Sequence, residues 1–458
     1  MHIRFWGTRG SLPKPGPMTL RYGGNTSCVE VRTAGGTLIV LDCGSGAHGL
    51  GQALLAEAPA PLHGHLLITH THWDHIQGFP FFAPLFVPGH VWDIYGPGGL
   101  GGRLEETLAG QMEYAYFPIT LGQLGATVRY HDLVEGTFTL DDVCITTRYL
   151  NHPALTLGYR LEVDGVVLVY ATDHEPHARP QPGQPGETPA GILPVHHEDR
   201  GHIEFLSGAD LIIHDAQYSA AEYAQKIGWG HSSVTYAVDV ALAASGKRLA
   251  LFHHDPARGD ADLERMLGMC RERVAAAHGT LDIIAAAEGQ LLALSTDAVA
   301  PVTAVSLTQP VRVGDASRAT GTPGTVLIVD DEPDVVGLLM ATLRPEGFQL
   351  LSASDGETAL ALARAERPAL ILLDWMMPGR TGLEVCRTLR AEADLQLRQV
   401  PVVLLTSRAE GEDIAAGFAA GATDYLTKPF KPSYVRSRVR SWLLRHQHEP
   451  APAQHQPT

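Results

Sequence analysis

The chain has 458 residues, of which 45% are hydrophobic and 18% are charged, and its formal net charge is −16. The length predicts about two to three domains, and the negative charge argues against broad, nonspecific binding to nucleic acid or anionic membranes. The five cysteines form no CxxC pair, the first residues lack a signal-peptide core, and no apolar run approaches the roughly 18 residues that span a bilayer. We therefore expect a cytoplasmic protein with reduced cysteines and no membrane contact.

Short β-branched segments alternate with glycine-rich turns over residues 1–298 and end in polar residues, as in LIVLD, HLLIT and LIIHDA. Ligands gather beyond the carboxyl ends of strands in α/β sheets, so these ends are candidate site positions. Residues 178–200 are rich in proline and glycine and predict a surface loop, whereas residues 299–323 predict an interdomain linker. Residues 324–445 repeat a strand–helix pattern five times, which predicts a doubly wound parallel sheet, and residues 446–458 predict a disordered tail.

The segment LLITHTHWDHIQGFPFF, residues 66–82, holds a cluster of metal-ligating side chains after a predicted strand. His70 and His72, two apart in an extended turn, can point at one centre, and Asp74 and His75 can point at a neighbouring centre. Imidazoles and carboxylates are ligands for Zn²⁺, Mn²⁺ or Fe²⁺. A dinuclear site needs further ligands, and the candidates at the ends of later strands are His152, Asp173, His253 and His254.

Together with IRFWGTRGSLPKPG and LIVLDCGSG near the N-terminus, this set resembles the metallo-β-lactamase fold superfamily of metallo-hydrolases, and in particular its ribonuclease Z-like phosphodiesterase branch. The resemblance covers roughly residues 2–295 and implies an αββα sandwich with two divalent metal ions, Zn²⁺ ahead of Mn²⁺ or Fe²⁺. It implies one metal held by His70, His72 and His152, a second held by Asp74, His75 and His253, and a bridge by Asp173. His254 stays an alternative to His253. Asp42 is either a strand-end turn residue or an acid that orients a ligand histidine.

The segments ADLIIHDAQY and IGWGHSSVTYA supply Asp215 and His231. An acid and a histidine at these positions form a dyad beside the scissile phosphate in the ribonuclease Z-like branch. The resemblance therefore implies that Asp215 orients His231, which protonates the leaving oxygen or stabilises the phosphorane. The family more often has Glu at the position of Asp215. For His231 the alternative is a helix-capping surface histidine. His214 is best interpreted as a core histidine or as one that supports a ligand from behind.

The chain has no clear insertion like the family's arm for transfer RNA, and its charge disfavours a large RNA. We therefore favour a small phosphodiester, such as a cyclic nucleotide, as the substrate. Two alternatives stay open: a thioester or lactone hydrolase of the same fold, and a non-catalytic signalling adaptor whose metal domain binds a ligand or partner. His63 and His65, which flank a predicted strand start, are assigned no role.

The C-terminal segment places polar residues at the ends of its predicted strands, namely Asp330, Asp331, Asp374, Thr406 and Lys428. Three carboxylates at one sheet edge predict a Mg²⁺ site, beside which Asp374 can accept a phosphoryl group. The set resembles the receiver domain of two-component response regulators, a flavodoxin-like (βα)5 fold, over residues 324–445. The resemblance implies phosphorylation of Asp374 by a histidine kinase or phosphotransfer protein. It also implies switch roles for Thr406 and Tyr425, and a cis peptide between Lys428 and Pro429.

Only a short polar tail follows Arg445, so we expect no DNA-binding module. The expected output of the receiver is then the hydrolase domain, a partner protein or both, and a homodimer is among the expected assemblies. The prediction for the whole chain is a dinuclear metal-dependent phosphodiesterase that is regulated by aspartyl phosphorylation in a two-component system.

Overall fold

The computed structural model describes residues 1–57, 61–98, 103–177, 197–295, 324–407 and, with short gaps, 416–443. The chain divides into two compact units, Met1–Gly314 and Asp315–Thr458. The predicted linker and tail, and most of the predicted proline-rich loop, lie outside the described residues. None of the described helices is both long and apolar enough to cross a bilayer.

The first unit consists of strands and helices that alternate along much of the chain. Its described strands are β1 (His2–Gly7), β2 (Cys28–Arg32), β3 (Leu38–Leu41), β4 (His63–Leu67), β5 (Val91–Pro97), β6 (Thr127–Leu133), β7 (Gly136–Leu140), β8 (Val143–Tyr149), β9 (Leu157–Val163), β10 (Val166–Ala171), β11 (Leu211–Asp215), β12 (Arg248–Phe252), β13 (Asp282–Ala285) and β14 (Leu291–Ala293). Its described helices are α1 (Ala47–Glu57), α2 (Trp73–Ile76), α3 (Leu104–Gln111), α4 (His197–Leu206), α5 (Ala220–Lys226), α6 (Val234–Ala243) and α7 (Asp260–Ala276).

These strands form two seven-stranded sheets, in the orders β14-β1-β2-β3-β4-β5-β6 and β13-β12-β11-β10-β9-β8-β7. The pairings from β3 to β6 and from β10 to β13 are parallel. The remaining pairings are antiparallel. Because parallel strands end at the same edge of a sheet, the loops after β3 and β4 meet at one edge, as do those after β10, β11 and β12.

The two sheets pack face to face, with helices on their outer faces. Phe5 of β1 lies 6.1 Å from Phe252 of β12 between ring centroids, and Tyr159 of β9 donates a hydrogen bond to the Ile68 carbonyl beyond β4 at 2.6 Å. Helices α1 and α3 bury their apolar sides against the first sheet, and α6 and α7 bury theirs against the second. The layer order is therefore αββα, as the family resemblance implied.

The second unit is a five-stranded parallel sheet in the order β16-β15-β17-β18-β19. Its strands are β15 (Thr325–Val329), β16 (Gln349–Ala353), β17 (Leu370–Asp374), β18 (Val402–Thr406) and β19 (Asp424–Thr427), and its numbered helices are α8 (Pro333–Leu343), α9 (Gly356–Glu366), α10 (Gly382–Arg390) and α11 (Leu395–Gln399). The central strands are continuous runs of buried aliphatic residues, as expected for a parallel sheet that is covered on both faces. The predicted doubly wound fold is confirmed.

Candidate metal centre

The predicted metal ligands of the first unit all lie at one edge of the sandwich, in segments that follow strands. His70 and His72 follow β4, α2 carries Asp74 and His75, and the remaining candidates follow β3, β8, β10 and β12 in the order Asp42, His152, Asp173 and His253. Asp42, Asp173 and His253 have left-handed backbone, with φ of 58°, 58° and 59°. Such conformations cost about 1–3 kcal/mol each in non-glycine residues and concentrate at functional sites.

The first ligand cluster comprises His70, His72, His152 and Asp173, whose ligand atoms lie within 4.8 Å of one another. His72 Nδ1 lies 3.1 Å from His152 Nε2, and Asp173 Oδ2 lies 3.6 Å from the Nε2 atoms of both His70 and His152. His152 Nδ1 donates to the Gly230 carbonyl at 2.8 Å, so its Nε2 keeps a lone pair in the neutral ring. The buried Nε2 of His70 has no hydrogen-bond partner among the described residues. Such a set of lone pairs fits a divalent cation.

The second ligand cluster comprises Asp74, His75 and His253. The Nε2 atoms of His75 and His253 are 3.3 Å apart, and Asp74 Oδ2 lies 3.4 Å and 3.1 Å from them. Asp173 Oδ1 lies 3.1 Å from His75 Nε2 and 3.2 Å from His253 Nε2. The two carboxylate oxygens of Asp173 therefore face the two clusters, which is the arrangement that a bridging ligand requires.

Asp42 holds His75 in the orientation that a metal ligand needs. Its Oδ2 accepts hydrogen bonds from His75 Nδ1 at 2.8 Å and from the Tyr170 hydroxyl at 2.9 Å. Its Oδ1 accepts from the backbone amide of Thr69 at 2.7 Å. With its Nδ1 proton fixed on Asp42, neutral His75 presents the lone pair of Nε2 to the second cluster. Of the two predicted roles of Asp42, the geometry favours the orientation of a ligand histidine.

The electrostatics of the two clusters differ. Burial lowers the pKa of His70 and of His72, and it lowers the pKa of His152 to about 3, so these three rings are neutral at physiological pH. Burial also opposes the charged form of His75, but the carboxylates of Asp173, Asp74 and Asp42 outweigh it and raise the pKa of His75. A divalent cation in the second cluster would replace that proton.

The Asp215–His231 pair lies against both clusters. His231 Nδ1 is 2.7 Å from Asp215 Oδ2 and 3.9 Å from Asp173 Oδ2, and its ring stacks on His253 with centroids 4.9 Å apart. Burial alone would lower the pKa of His231, but the Asp215 carboxylate raises it to about 9 through its charge and its hydrogen bond. A pKa in this range favours the charged form of His231 at neutral pH, beside the atoms that would hold metal.

His254 and His214 point away from the clusters. His254 Nε2 donates to the Ala286 carbonyl at 2.9 Å, and burial lowers its pKa to about 3. The structure therefore places His253, and not His254, among the candidate ligand atoms. His214 is fully buried, and its Nδ1 donates to the Asp215 carbonyl at 2.7 Å, which fits the interpretation as a core histidine.

Sequence reasoning missed Glu175 and two glycines that position the ligands. Glu175 is buried and accepts hydrogen bonds from the backbone amides of Gly228 and Gly230, which fixes the loop before His231. A Cβ on Gly230, whose φ is +87°, would lie 2.3 Å from the ring of His152. A Cβ on Gly10 would lie 2.3 Å from the ring of His253. The glycine-rich pattern of GTRGS was visible in the sequence, but its contact with a histidine 243 positions away was not.

The second unit brings its predicted residues to one sheet edge. Lys428 Nζ lies 2.7 Å from Asp330 Oδ2 and 2.7 Å from Asp374 Oδ1. Burial raises the pKa of Asp374, against the lowering effect of Lys428. Asp331 is exposed beside this group, and buried Thr406 ends the adjacent strand β18. The carboxylates fit the hard-oxygen ligand set of Mg²⁺.

Tyr425 is half-buried on β19, next to the strand that Thr406 ends. The Lys428–Pro429 peptide, which the resemblance implied to be cis, is cis.

Comparison with known proteins agrees with the division of the chain into two units. Residues 37–254 match the family described as the β-lactamase superfamily domain, and residues 326–440 match the response regulator receiver domain. The chain thus joins a metallo-β-lactamase fold domain, the fold of a hydrolase superfamily, to a receiver domain of the response regulator family.

Among curated proteins, the chain is similar to the DNA-binding response regulator MtrA of Mycolicibacterium smegmatis, with 44% identity over 126 residues that cover 28% of this chain and 53% of MtrA. It is also similar to the alkaline phosphatase synthesis transcriptional regulatory protein PhoP of Bacillus subtilis, with 44% identity over 120 residues that cover 26% of this chain and 48% of PhoP. The chain thus spans about half the length of these relatives.

Similar solved structures include the metallo-β-lactamase fold protein YhfI from Bacillus subtilis, with a TM-score of 0.44, 18% identity, and coverage of 64% of this chain and 98% of YhfI. The short form of human tRNase Z has a TM-score of 0.43 and 20% identity, and the match covers 65% of this chain and 100% of tRNase Z. The chemotaxis protein CheY4 of Vibrio cholerae has a TM-score of 0.25 and 33% identity, and the match covers 26% of this chain and 96% of CheY4.

Proposed function

We propose that the first unit is a metal-dependent phosphodiesterase acting on a small phosphodiester, such as a cyclic nucleotide, and that phosphorylation of Asp374 regulates it. The proposal rests on the placement of the Asp215–His231 pair, because His231 Nδ1 lies 2.7 Å from Asp215 and 3.9 Å from Asp173. The proposed domain boundaries are 1–298 and 324–445. A cytoplasmic location and a homodimer stay predictions.

The chemistry follows from which groups can hold a proton beside the ligand clusters. Two divalent cations, with Zn²⁺ preferred for this ligand set and Mn²⁺ or Fe²⁺ as alternatives, would supply a water of lowered pKa and positive charge for the substrate oxygens. Asp215 holds the Nδ1 proton of His231, so the Nε2 proton is the one that His231 gives to the leaving oxygen. The imidazolium also offsets the negative charge that develops on the phosphorane.

Exposed aromatic side chains near the ligands support a nucleotide-like substrate. Trp73 lies between His72 and Asp74 in the chain and is 73% exposed. Trp229 precedes His231 by two residues, is 51% exposed, and has the Lys226 ammonium 4.1 Å from its ring. Indole faces can stack on nucleobases, and a nearby lysine adds attraction for a phosphate.

The receiver site supports regulation by a histidine kinase or phosphotransfer protein with Mg²⁺. A phosphoryl group on Asp374 would add negative charge where Lys428 now bridges Asp374 and Asp330. Phosphorylation would then favour one of two receiver conformations, and hydrolase activity would change if the two conformations affect the hydrolase differently.

The test is hydrolysis of bis(p-nitrophenyl) phosphate by the full chain loaded with Zn²⁺ or Mn²⁺. We expect His231→Gln to lower kcat by about 10²–10⁴-fold, the usual contribution of general acid catalysis, with unchanged metal content. His48→Ala, at an exposed position on α1, is the matched control and should keep full activity. Full activity in His231→Gln would contradict the dyad, and turnover of thioesters or lactones alone would favour the other hydrolase branch.

The regulatory part needs a separate experiment. We expect acetyl phosphate with Mg²⁺ to change kcat or KM in the parent chain and to have no effect in Asp374→Asn. Unchanged turnover, metal affinity and oligomeric state after phosphorylation would contradict regulation but would leave the hydrolase assignment intact. Metal binding without turnover of any ester would instead favour the adaptor.

A further inference from the structure

A third cluster of metal-ligating side chains lies away from the candidate metal centre. It comprises His63 and His65 on β4 and Asp141 in the turn between β7 and β8, and each residue places a ligand atom within 4.8 Å of the others. His63 begins β4, whereas His70 follows its other end, so this cluster and the metal centre lie toward opposite ends of the same strand.

The strand geometry explains why the two imidazoles meet. Residues two apart on a strand share one face, so His63 and His65 project to the same side, with ring centroids 4.7 Å apart. On the neighbouring strand β5, Asp93 pairs with His65 in register. The Asp93 carboxylate reaches His63 Nε2 at 2.9 Å and His131 Nε2 at 2.8 Å. A carboxylate that accepts the Nε2 proton of His63 leaves Nδ1 as the atom with the lone pair, as for many metal-binding histidines.

The charges around the cluster favour a cation. Burial alone would raise the pKa of Asp93, but the hydrogen bonds from His131 and His63 and the charge of Arg129 outweigh it and lower the pKa. Arg129 Nη1 lies 3.4 Å from Asp93 Oδ2 and offsets that one carboxylate. The negative charge of Asp141, whose side chain is half-exposed, is then left to face the two imidazole rings.

His65 is the buried member of the cluster, and its Nε2 atom faces Asp141. It is 4% exposed, its Nε2 lies 3.1 Å from Asp141 Oδ2, and its buried Nδ1 has no hydrogen-bond partner within the part of the chain that the structure describes. Burial lowers the pKa of His65, against the raising effect of Asp141, so the ring is neutral and carries only one N–H. A metal ion shared with Asp141 would bind the lone pair of His65 Nε2, in the tautomer whose proton is on Nδ1.

We propose that His63, His65 and Asp141 bind a divalent transition-metal ion of the Zn²⁺ class, which joins the two sheets of the first unit. Two imidazoles and a carboxylate are a zinc ligand set, with water as the fourth ligand on the exposed side. The ion would tie β4 of the first sheet to the β7–β8 turn of the second sheet. The site takes no ligand from the candidate metal centre, so it does not depend on the proposed enzymatic activity.

The experiment compares metal content and anomalous scattering at the zinc edge in the full chain. We expect an anomalous peak among the three residues in crystals grown with micromolar Zn²⁺. We expect the bound zinc to fall by one ion per chain in His63→Gln and in Asp141→Asn. The matched control is His131→Gln, which also removes a histidine from Asp93 but leaves the three ligands, and its zinc content should equal that of the parent.

Three outcomes would overturn the proposal. The first is no peak at this position in crystals that show peaks at the candidate metal centre. The second is equal zinc content in the parent and in both ligand variants. The third is a peak only at millimolar Zn²⁺, which would make the cluster a hydrogen-bonded network that binds zinc adventitiously. Both replaced side chains are about half-exposed, so the variants should fold and the comparison stays valid.

Discussion

Replacing Asp42 with asparagine keeps the shape of a fully buried side chain and removes its charge. If the oxygen of the new side-chain amide keeps the hydrogen bond to the Thr69 backbone amide, its NH2 group takes the place of Asp42 Oδ2. That group then faces His75 Nδ1, which lies 2.8 Å from Oδ2 in the parent. Two donors cannot face each other, so the His75 proton must move to Nε2. That atom is the one that faces the second ligand cluster, and its lone pair is then lost.

The expected loss of metal affinity at the second ligand cluster can be bounded. Removing a hydrogen-bond partner of a metal-ligating histidine lowers metal affinity about 10–100-fold, which corresponds to about 1.4–2.7 kcal/mol. This range agrees with the roughly 1.5–3 kcal/mol of a hydrogen bond to a charged group. The first cluster is linked to Asp42 only indirectly, through Thr69, whose hydroxyl contacts both Asp42 and His70, and through the shared Asp173. We therefore expect its zinc affinity to fall by less than that of the second cluster.

The assay is a competition titration of Zn²⁺ against a chromophoric chelator, carried out on the full chain in a His63→Gln background so that the two clusters alone are compared. Tyr170→Phe is the matched control, because it removes another donor to the same carboxylate oxygen and leaves the charge. Two tight sites in Asp42→Asn, as in the parent, would refute the role of Asp42. Equal weakening of both sites would show a general loss of structure instead.

Two further substitutions test other contacts. Gly10→Ala places a Cβ 2.3 Å from the ring of His253, and an overpacking cost of about 1–3 kcal/mol should lower zinc affinity at the second cluster by about tenfold. In the same titration, Gly16→Ala meets no atom within 4 Å and should bind as the parent does, so an equal loss in both would contradict the packing explanation. Lys428→Ala removes the cation between two buried carboxylates, so the melting temperature of the full chain's receiver transition should fall by several degrees without Mg²⁺ and largely recover with it. A fall in melting temperature that Mg²⁺ does not reverse would contradict the idea that Mg²⁺ and the Lys428 ammonium neutralise the same carboxylates.

The sequence was sufficient for both fold classes because their signals are local. Buried strand runs, turn residues and helix caps occur within short segments, and the ligands from His70 to His75 lie within six positions. The contacts that hold these residues could not be predicted in the same way. The pairing of His65 with Asp141 joins residues 76 positions apart on different sheets, and it depends on the strand register and sheet packing, which one sequence does not specify. The same holds for Glu175, whose buried carboxylate fixes a loop more than 50 residues away.

The left-handed backbone at Asp42, Asp173 and His253 also has a consequence for the stability of the protein. Backbone strain of about 1–3 kcal/mol at each of these three residues opposes folding. The sum is large beside the free energy of unfolding of a typical domain, which is roughly 5–15 kcal/mol. A ligand that binds only the folded state raises the free energy of unfolding, and the increase grows with the logarithm of the ligand concentration. The abundance of this protein in a cell should therefore follow the supply of its metal, since newly made chains that find no ion are the ones most readily degraded.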